Sequence, residues 1–160
     1  MKIGIIVHSK TGHSLQVANQ LKQSMVRSGH QVEVMQLEAS NDGETKVNAV
    51  RLTSFPDFSP YELIIFGAPV RGGRLSPVLQ AYLAQLPSLQ GRKVMGYVTQ
   101  AFPFPSLGGN QAINNFTEIL KAKNAELINS AIINWMVKGT RNKQIADVIN
   151  SFGGKYEESN

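Results

Sequence analysis

The chain has 160 residues, enough for one domain with a proper core. Hydrophobic residues make up 42% of the chain, but no apolar run approaches the roughly 20 residues of a membrane span, so membrane insertion is excluded. The absence of cysteine excludes disulfides, thiol nucleophiles and thiolate metal ligands, and it predicts a cytoplasmic location. The net charge of +5 comes from scattered lysines and arginines, which predicts a basic surface and no nucleic-acid binding.

The first half of the chain predicts two strands separated by a helix. Residues 2–7 are apolar and have no cleavage site, so they predict a buried strand rather than a signal peptide. Leucine, alanine and methionine recur at helical spacing over residues 14–28, and valines alternate with polar residues over residues 31–37, which predicts a helix and then a second strand. The pattern weakens over residues 38–60, where residues 47–52 fit either a short strand or a ragged helix.

The second half predicts three more strands, each followed by a helix. The strands are residues 63–66, 94–98 and 127–135. Ser76 and Pro77 are typical of a helix N-cap and first turn. The last helix is predicted over residues 141–152 and is ended by Gly153-Gly154. We therefore predict one domain over residues 1–153 and a disordered tail over residues 154–160.

Apolar strands that alternate with helices predict an α/β fold with helices on both faces of a parallel sheet. Five strands suit a three-layer, doubly wound sheet with the order 2-1-3-4-5. In that order a ligand binds beyond the carboxyl ends of the strands, where the first and third strands are neighbours. The loops after strands one, three and four should then form the site.

The loop after the first strand has the composition of a phosphate site. Ser9-Lys10-Thr11-Gly12-His13-Ser14 places three hydroxyl side chains and a glycine between a buried strand and a helix. Backbone amides, hydroxyls and the positive end of the helix dipole then converge on one point.

The other two loops are also unusual for their glycines. Residues 67–74 contain Gly72-Gly73, which allow positive φ and a close approach of the backbone to a ligand. Residues 99–109 combine phenylalanines, prolines and Gly108-Gly109, which predicts a stiff wall with available amides. Three such loops at one edge of a sheet favour a real site over loops that are merely rich in glycine.

Several other classes of protein with this architecture are excluded by their chemistry. A receiver domain needs acidic residues where this chain has His8 and Gly67, and the related phosphatases need a cysteine. A Walker loop needs lysine and a hydroxyl residue after its last glycine, but Gly12 is followed by His13-Ser14. The three spaced glycines of a dinucleotide site are missing as well.

Over essentially its whole length the chain resembles the flavodoxin family. The family's phosphate loop reads hydroxyl-x-hydroxyl-Gly-x-hydroxyl, and residues 9–14 match it at every position. Gly67-Ala68-Pro69 and Leu107-Gly108-Gly109 stand where the family's two flavin-contacting loops occur. By this resemblance the phosphate is the 5′-phosphate of FMN.

The resemblance implies a role for each loop. The hydroxyls of Ser9, Thr11 and Ser14 and the neighbouring amides would hold the phosphate, and residues 69–73 and 99–104 would enclose the flavin ring. A peptide at Gly72 or Gly73 would meet the flavin N5, and residues 99–101 would meet the pyrimidine edge. The implied cofactor-binding residues are Ser9, Lys10, Thr11, Gly12, His13, Ser14, Pro69, Val70, Arg71, Gly72, Gly73, Thr99, Gln100, Ala101, Phe102, Phe104 and Gly108.

Two departures from the family pattern affect the expected partners. Electron-shuttle flavodoxins sandwich the ring between Trp and Tyr, whereas this chain offers Arg71, Phe102 and Phe104, and its only tryptophan, Trp135, is expected to pack in the core. Such shuttles are acidic, whereas this chain is basic. The positive charges of Lys10, His13, Arg71 and Arg74 would raise the reduction potential of the flavin and favour acidic partners or small anionic substrates.

Three functions remain open. The first is a single-domain FMN carrier of electrons between proteins, and the second is an NAD(P)H-dependent quinone reductase on the same fold. The third is a binding module without flavin. Reductases of this kind often dimerise, and the sequence indicates neither an interface nor a metal site.

Overall fold

The computed structural model describes residues 1–158, with side chains described up to residue 153. A sheet forms the middle layer of the molecule. Its strands are β1 (Lys2–His8), β2 (Gln31–Leu37), β3 (Leu63–Arg71), β4 (Arg74–Leu75), β5 (Lys93–Gln100) and β6 (Glu126–Asn134). The helices are α1 (His13–Arg27), α2 (Pro77–Gln85), α3 (Gly109–Ala122) and α4 (Lys138–Glu158).

The predicted α/β architecture is confirmed, but the strand numbering is not. Five parallel strands lie in the order β2-β1-β3-β5-β6, and a sixth strand, β4, pairs antiparallel with the end of β3. The expected order 2-1-3-4-5 omits β4, because a strand of two residues leaves no hydrophobic period to read. Gly72 (φ 56°) and Gly73 (φ 74°) reverse the chain between β3 and β4, so the predicted loop is a hairpin.

Each face of the sheet packs against two helices. On one face, apolar residues of β1, β3 and β5 pack against α2 and α3. On the other face, they pack against α1 and α4. This burial on both sides explains why the strands read as continuous apolar runs, and each fully buried aliphatic side chain contributes about 1.5–3 kcal/mol.

The connection between β2 and β3 contains no α-helix. It has a short 3₁₀ helix at Val47–Ala49, followed by an isolated bridge between Ala39 and Leu52. Both alternatives weighed for residues 47–52, helix and strand, are thus present in part. The segment is anchored by the buried side chains of Val50, Phe58 and Tyr61, and it leaves Asp42 near the carboxyl edge of the sheet.

The last helix is longer than the sequence predicts. It runs to Glu158 instead of ending at Gly153-Gly154. Gly153 does not adopt the positive φ of a glycine that ends a helix, and glycine inside a helix costs only about 1 kcal/mol relative to alanine. The side chains of residues 154–158 and the whole of residues 159–160 lie outside the described part, so the disordered tail stays a prediction. Within that part, no helix has both the length and the apolarity to cross a membrane.

Candidate functional site

The loops after β1, β3 and β5 meet around a cavity of about 280 Å³ at the carboxyl edge of the sheet. All of its lining residues belong to the set predicted from the sequence. They are Ser9, Lys10, Thr11, His13, Ser14, Pro69, Val70, Arg71, Thr99, Gln100 and Ala101. The convergence follows from topology, since β1 pairs with β3 and β3 with β5, all in parallel.

The phosphate-type loop enters α1 through a left-handed glycine. Gly12 has φ 93° and stands at the N-cap, and its amide donates to the Ser9 hydroxyl at 3.1 Å. No side chain caps α1, and its first turn contains no acidic residue. The first amides of the helix and its positive dipole are therefore available to an anion.

Ser14 joins the phosphate-type loop to the end of β5. Its hydroxyl is buried and lies 2.9 Å from the hydroxyl of Thr99. Its backbone carbonyl accepts a hydrogen bond of 2.7 Å from the hydroxyl of Tyr97. Two side chains of β5 thus fix the first turn of α1 against the sheet.

His13 stacks on Trp135, which follows β6. The ring centroids are 4.1 Å apart with an interplanar angle of 12°, and the guanidinium of Arg141 lies 5.0 Å from the centroid of Trp135. Burial and the charge of Arg141 together lower the pKa of His13, so the imidazole is predominantly neutral at neutral pH. Trp135 is half-buried in the core, as expected, but its contact with His13 was not foreseen.

A hydrogen-bonded line, partly exposed at Arg71 and Asp42 and buried at His8 and Ser76, runs behind the hairpin from Arg71 to the start of α2. Arg71 Nη2 donates to Asp42 Oδ2 at 2.9 Å, and Asp42 Oδ1 lies 2.6 Å from His8 Nε2. His8 Nδ1 lies 2.6 Å from the hydroxyl of Ser76, which accepts from the Leu79 amide as the N-cap of α2. The sequence indicated Ser76 as a cap, but it gave no signal for Asp42, which lies in a turn.

Ser76, His8 and Asp42 have the composition of a hydrolytic triad, but they cannot act as one. Ser76 is fully buried and His8 is 1% exposed, so no substrate reaches the hydroxyl. The hydroxyl is also the cap of α2. The line is therefore a structural link between the ends of β1 and β3, the Asp42 turn and α2.

Gln100 holds the loop that follows β5. Its amide nitrogen lies within 2.9 Å of the carbonyl oxygens of Phe102 and Phe104 and 2.6 Å from Asn134 Oδ1. Gln100 Oε1 is buried and has no hydrogen-bond partner among the described residues. The two phenylalanine side chains are 56% and 61% exposed, so they form an outer rim rather than a wall of the inner cavity.

The hairpin contacts the start of α3 and divides the predicted ring slot. A Cβ built on Gly108 would lie 2.8 Å from Val70 Cγ1 and 3.1 Å from Gly73 Cα, so this contact requires glycine. Outside it, Gly73, Phe102 and Gly108 line a second cavity of about 400 Å³. Gly72 and Arg71 line a third cleft of about 600 Å³. The predicted residues are thus neighbours, but they line three adjoining spaces; Gly12 and Phe104 line none of them.

Four of the segments at the carboxyl edge carry positive charge only. The segments 9–14, 67–74, 99–109 and 134–141 contain no aspartate or glutamate. They contain Lys10, Arg71, Arg74, Lys138 and Arg141. Among the described residues, the ion pairs all involve Asp42, so only the charge of Arg71 in this set has a carboxylate partner.

Comparisons with known proteins agree with the geometry. No protein-family model and no curated protein sequence matches the chain. Among solved structures, oxidised flavodoxin 1 from Bacillus cereus superposes with a TM-score of 0.70 at 15% identity, covering 99% of this chain and 98% of that one. Flavodoxin 2 from the same species gives 0.68 at 20% identity, with coverages of 97% and 99%.

A flavoprotein from Lactobacillus acidophilus, solved in complex with FMN, superposes with a TM-score of 0.63 at 18% identity, covering 82% of this chain and 92% of that one. Such identities establish a fold and not a shared activity. The strand order, the connection of the loops and these neighbours show that the chain has the flavodoxin fold.

Proposed function

We propose that the protein binds FMN and transfers electrons between protein partners in the cytoplasm. The observation that carries the proposal is the uncapped N-terminus of α1, which opens on a cavity lined by all three loops of the switch point. A phosphate monoester fits this site, because amides, hydroxyls and a positive dipole all stabilise a dianion.

The donor set supports a flavin nucleotide in particular. Ser9 and Thr11 offer hydroxyls and Lys10 a cation to the phosphate, while the backbone at residues 99–101 offers donors and acceptors to a pyrimidine edge. The hairpin peptides at Gly72 and Gly73 are free of side chains and suit the N5 edge. When bound, FMN would supply the redox chemistry, and the chain would supply binding, orientation and electrostatics. The FMN complex of the L. acidophilus neighbour supports the choice.

The outer rim supports a protein partner. Phe102, Phe104, Leu107, Met136 and Val137 are each about half exposed or more. They follow two neighbouring strands, β5 and β6, and the segment after β6 also contains Lys138 and Arg141. An exposed apolar patch with a basic border fits an acidic protein surface.

The third cleft favours a second candidate, an NAD(P)H-dependent reductase of quinones or similar acceptors. It has about 600 Å³ and shares Arg71 with the inner cavity. Its lining also has the polar side chains of Glu44, Thr45, Arg74, Gln80, Gln111 and Asn115. A small acceptor in this cleft would be next to the proposed flavin.

One experiment separates these functions. The protein is purified with FMN, and its visible spectrum is recorded before and after NADPH and a quinone are added without oxygen. Retained flavin without turnover supports the carrier, and rapid bleaching by NADPH supports the reductase. A protein that retains no FMN contradicts both proposals and leaves the flavin-free binding module.

A second measurement tests the phosphate assignment. FMN should bind roughly a hundredfold more tightly than riboflavin, which lacks the phosphate. Thr11→Val should weaken FMN binding several-fold and leave riboflavin binding unchanged. If Thr11→Val weakens the binding of FMN and of riboflavin by the same factor, residues 9–14 do not hold the phosphate.

A further inference from the structure

Asp42 is the centre of the charge network behind the hairpin. It takes part in every ion pair among the described residues, one with Arg71 and one with His8. Arg71 binds it twice, through Nη2 to the carboxylate and through Nη1 to the backbone carbonyl. This pairing fixes the turn at Asp42 to the end of β3.

The hydrogen-bond partners assign the protons along the line. Burial alone would raise the pKa of Asp42, but the hydrogen bonds from Arg71 and His8 outweigh it and the pKa is lowered. Asp42 is therefore a carboxylate at neutral pH, and His8 donates to it from Nε2. Burial lowers the pKa of His8 below 6.5, so the imidazole is neutral at neutral pH; with its one ring proton on Nε2, Nδ1 accepts from the hydroxyl of Ser76.

Arg71 is the side chain through which this network reaches the site. It lines both the inner cavity and the third cleft and is 22% exposed. A guanidinium at this position would attract an anionic ligand, but a carboxylate at 2.9 Å cancels most of that attraction.

We infer that Asp42 is a positioning residue that holds Arg71 in the wall of the site and neutralises its charge. This inference rests on the proposed FMN site. The negative charge of the ligand is then received by Lys10 and the N-terminus of α1, and Arg71 contributes shape and hydrogen bonds. The site is consequently less cationic than its sequence suggests.

The test uses FMN titration of the full chain, followed by flavin fluorescence, at low and high ionic strength. Asp42→Asn keeps the side-chain volume and an acceptor oxygen but leaves the charge of Arg71 unpaired. FMN should then bind roughly three- to tenfold more tightly at low ionic strength, and high salt should remove the gain. Arg71→Gln leaves Asp42 with a hydrogen bond from the neutral His8 but without a cation to neutralise its charge, and it should weaken FMN binding by a similar factor.

The double variant, Asp42→Asn with Arg71→Gln, is the matched control. Its FMN affinity should lie within about twofold of the wild type, because both charges are gone and glutamine keeps a hydrogen-bond donor at position 71. A purely structural role of Asp42 would give weaker binding in Asp42→Asn and the weakest binding in the double variant. That outcome would overturn the inference.

A flavin-free arm keeps this inference separate from the proposed function. The titration of the His8 imidazole is followed by NMR in the protein without FMN, with Asp42, Arg71 and Lys10 as the charged groups around it. Asp42→Asn should lower the pKa of His8, because Asp42 raises it in the wild type. Arg71→Gln should raise it. An unchanged His8 titration in both variants would contradict the network, whether or not the wild type binds FMN.

Discussion

The hydroxyl of Tyr97 donates a hydrogen bond of 2.7 Å to the backbone carbonyl oxygen of Ser14. Tyr97 lies on β5 and is fully buried, and its register partner on β3 is Gly67. A Cβ on Gly67 would lie 2.2 Å from Tyr97 Cζ. The phenol therefore crosses β3 only because residue 67 has no side chain, and through it the sheet fixes the start of α1.

Gly67→Ala should lower the free energy of unfolding by about 1–3 kcal/mol through overpacking against Tyr97. Tyr97→Phe removes only the hydroxyl and should cost about 1 kcal/mol. Urea unfolding measures both. Gly43→Ala is the matched control, since nothing lies within 4 Å of its Cβ position. Equal stability of the two alanine variants would contradict the role of Gly67.

Gly108→Ala should separate the hairpin from α3. The residue has φ 122°, and its Cβ would meet Val70 and Gly73, so we expect a loss of about 1–3 kcal/mol in urea unfolding. Gly139→Ala, in α4 with open space at Cβ, should instead be neutral or stabilising by up to about 1 kcal/mol. If Gly108→Ala is as stable as the wild type, the contact between the hairpin and the start of α3 does not require glycine at this position.

Ser76→Ala should destabilise the protein by about 1–3 kcal/mol. The change removes the N-cap of α2 and leaves His8 Nδ1 buried without its hydroxyl partner. Ser24→Ala, in α1, serves as the comparison because its hydroxyl makes no hydrogen bond to a described residue, and it should lie within about 0.5 kcal/mol of the wild type. A similar small effect in both variants would contradict the link between α2 and His8.

Acid should destabilise the protein in two steps. Burial lowers the pKa of His8 below 6.5 in spite of Asp42, so the unfolded chain takes up this proton first and stability falls as the pH drops below 6.5. The lowered pKa of Asp42 gives stability above pH 3.8 that is lost as the pH falls below that value. Urea unfolding across this pH range measures both steps. His8→Gln should reduce the loss of stability below pH 6.5, and Asp42→Asn should reduce the loss below pH 3.8. If the free energy of unfolding of the wild type rises as the pH drops below 6.5, the predicted direction of the pH dependence is wrong.

The sequence predicted the sheet and the three loops because their signals are local. Buried strands such as residues 63–66 are continuous apolar runs, and parallel pairing then brings their following loops together. The eleven residues around the inner cavity were predictable for that reason. Ser76 was recognisable from the serine–proline pair at the start of a helix.

What could not be predicted depends on contacts between distant segments. Asp42 is 29 residues from Arg71, and nothing in an Asn-Asp-Gly turn indicates which arginine it will meet. The stack of His13 on Trp135 likewise joins the first loop to the end of the last strand. Strand β4 is too short for a pattern, and the contact between Gly73 and Gly108 is set by packing alone.

Two of the side chains that fix the loops, Tyr97 and His8, are not among those that line the inner cavity, whereas Lys10 and Thr11 line it and fix none of the loops. Tyr97 holds the start of α1, Gln100 holds the loop after β5, and His8 is bonded to Ser76 and Asp42 behind the hairpin. Lys10 and Thr11 could therefore change without loss of the loop positions, whereas Ser9 also accepts from the Gly12 amide. Such a division lets selection alter which ligand is bound, one exposed residue at a time, while the architecture that presents the site is inherited unchanged.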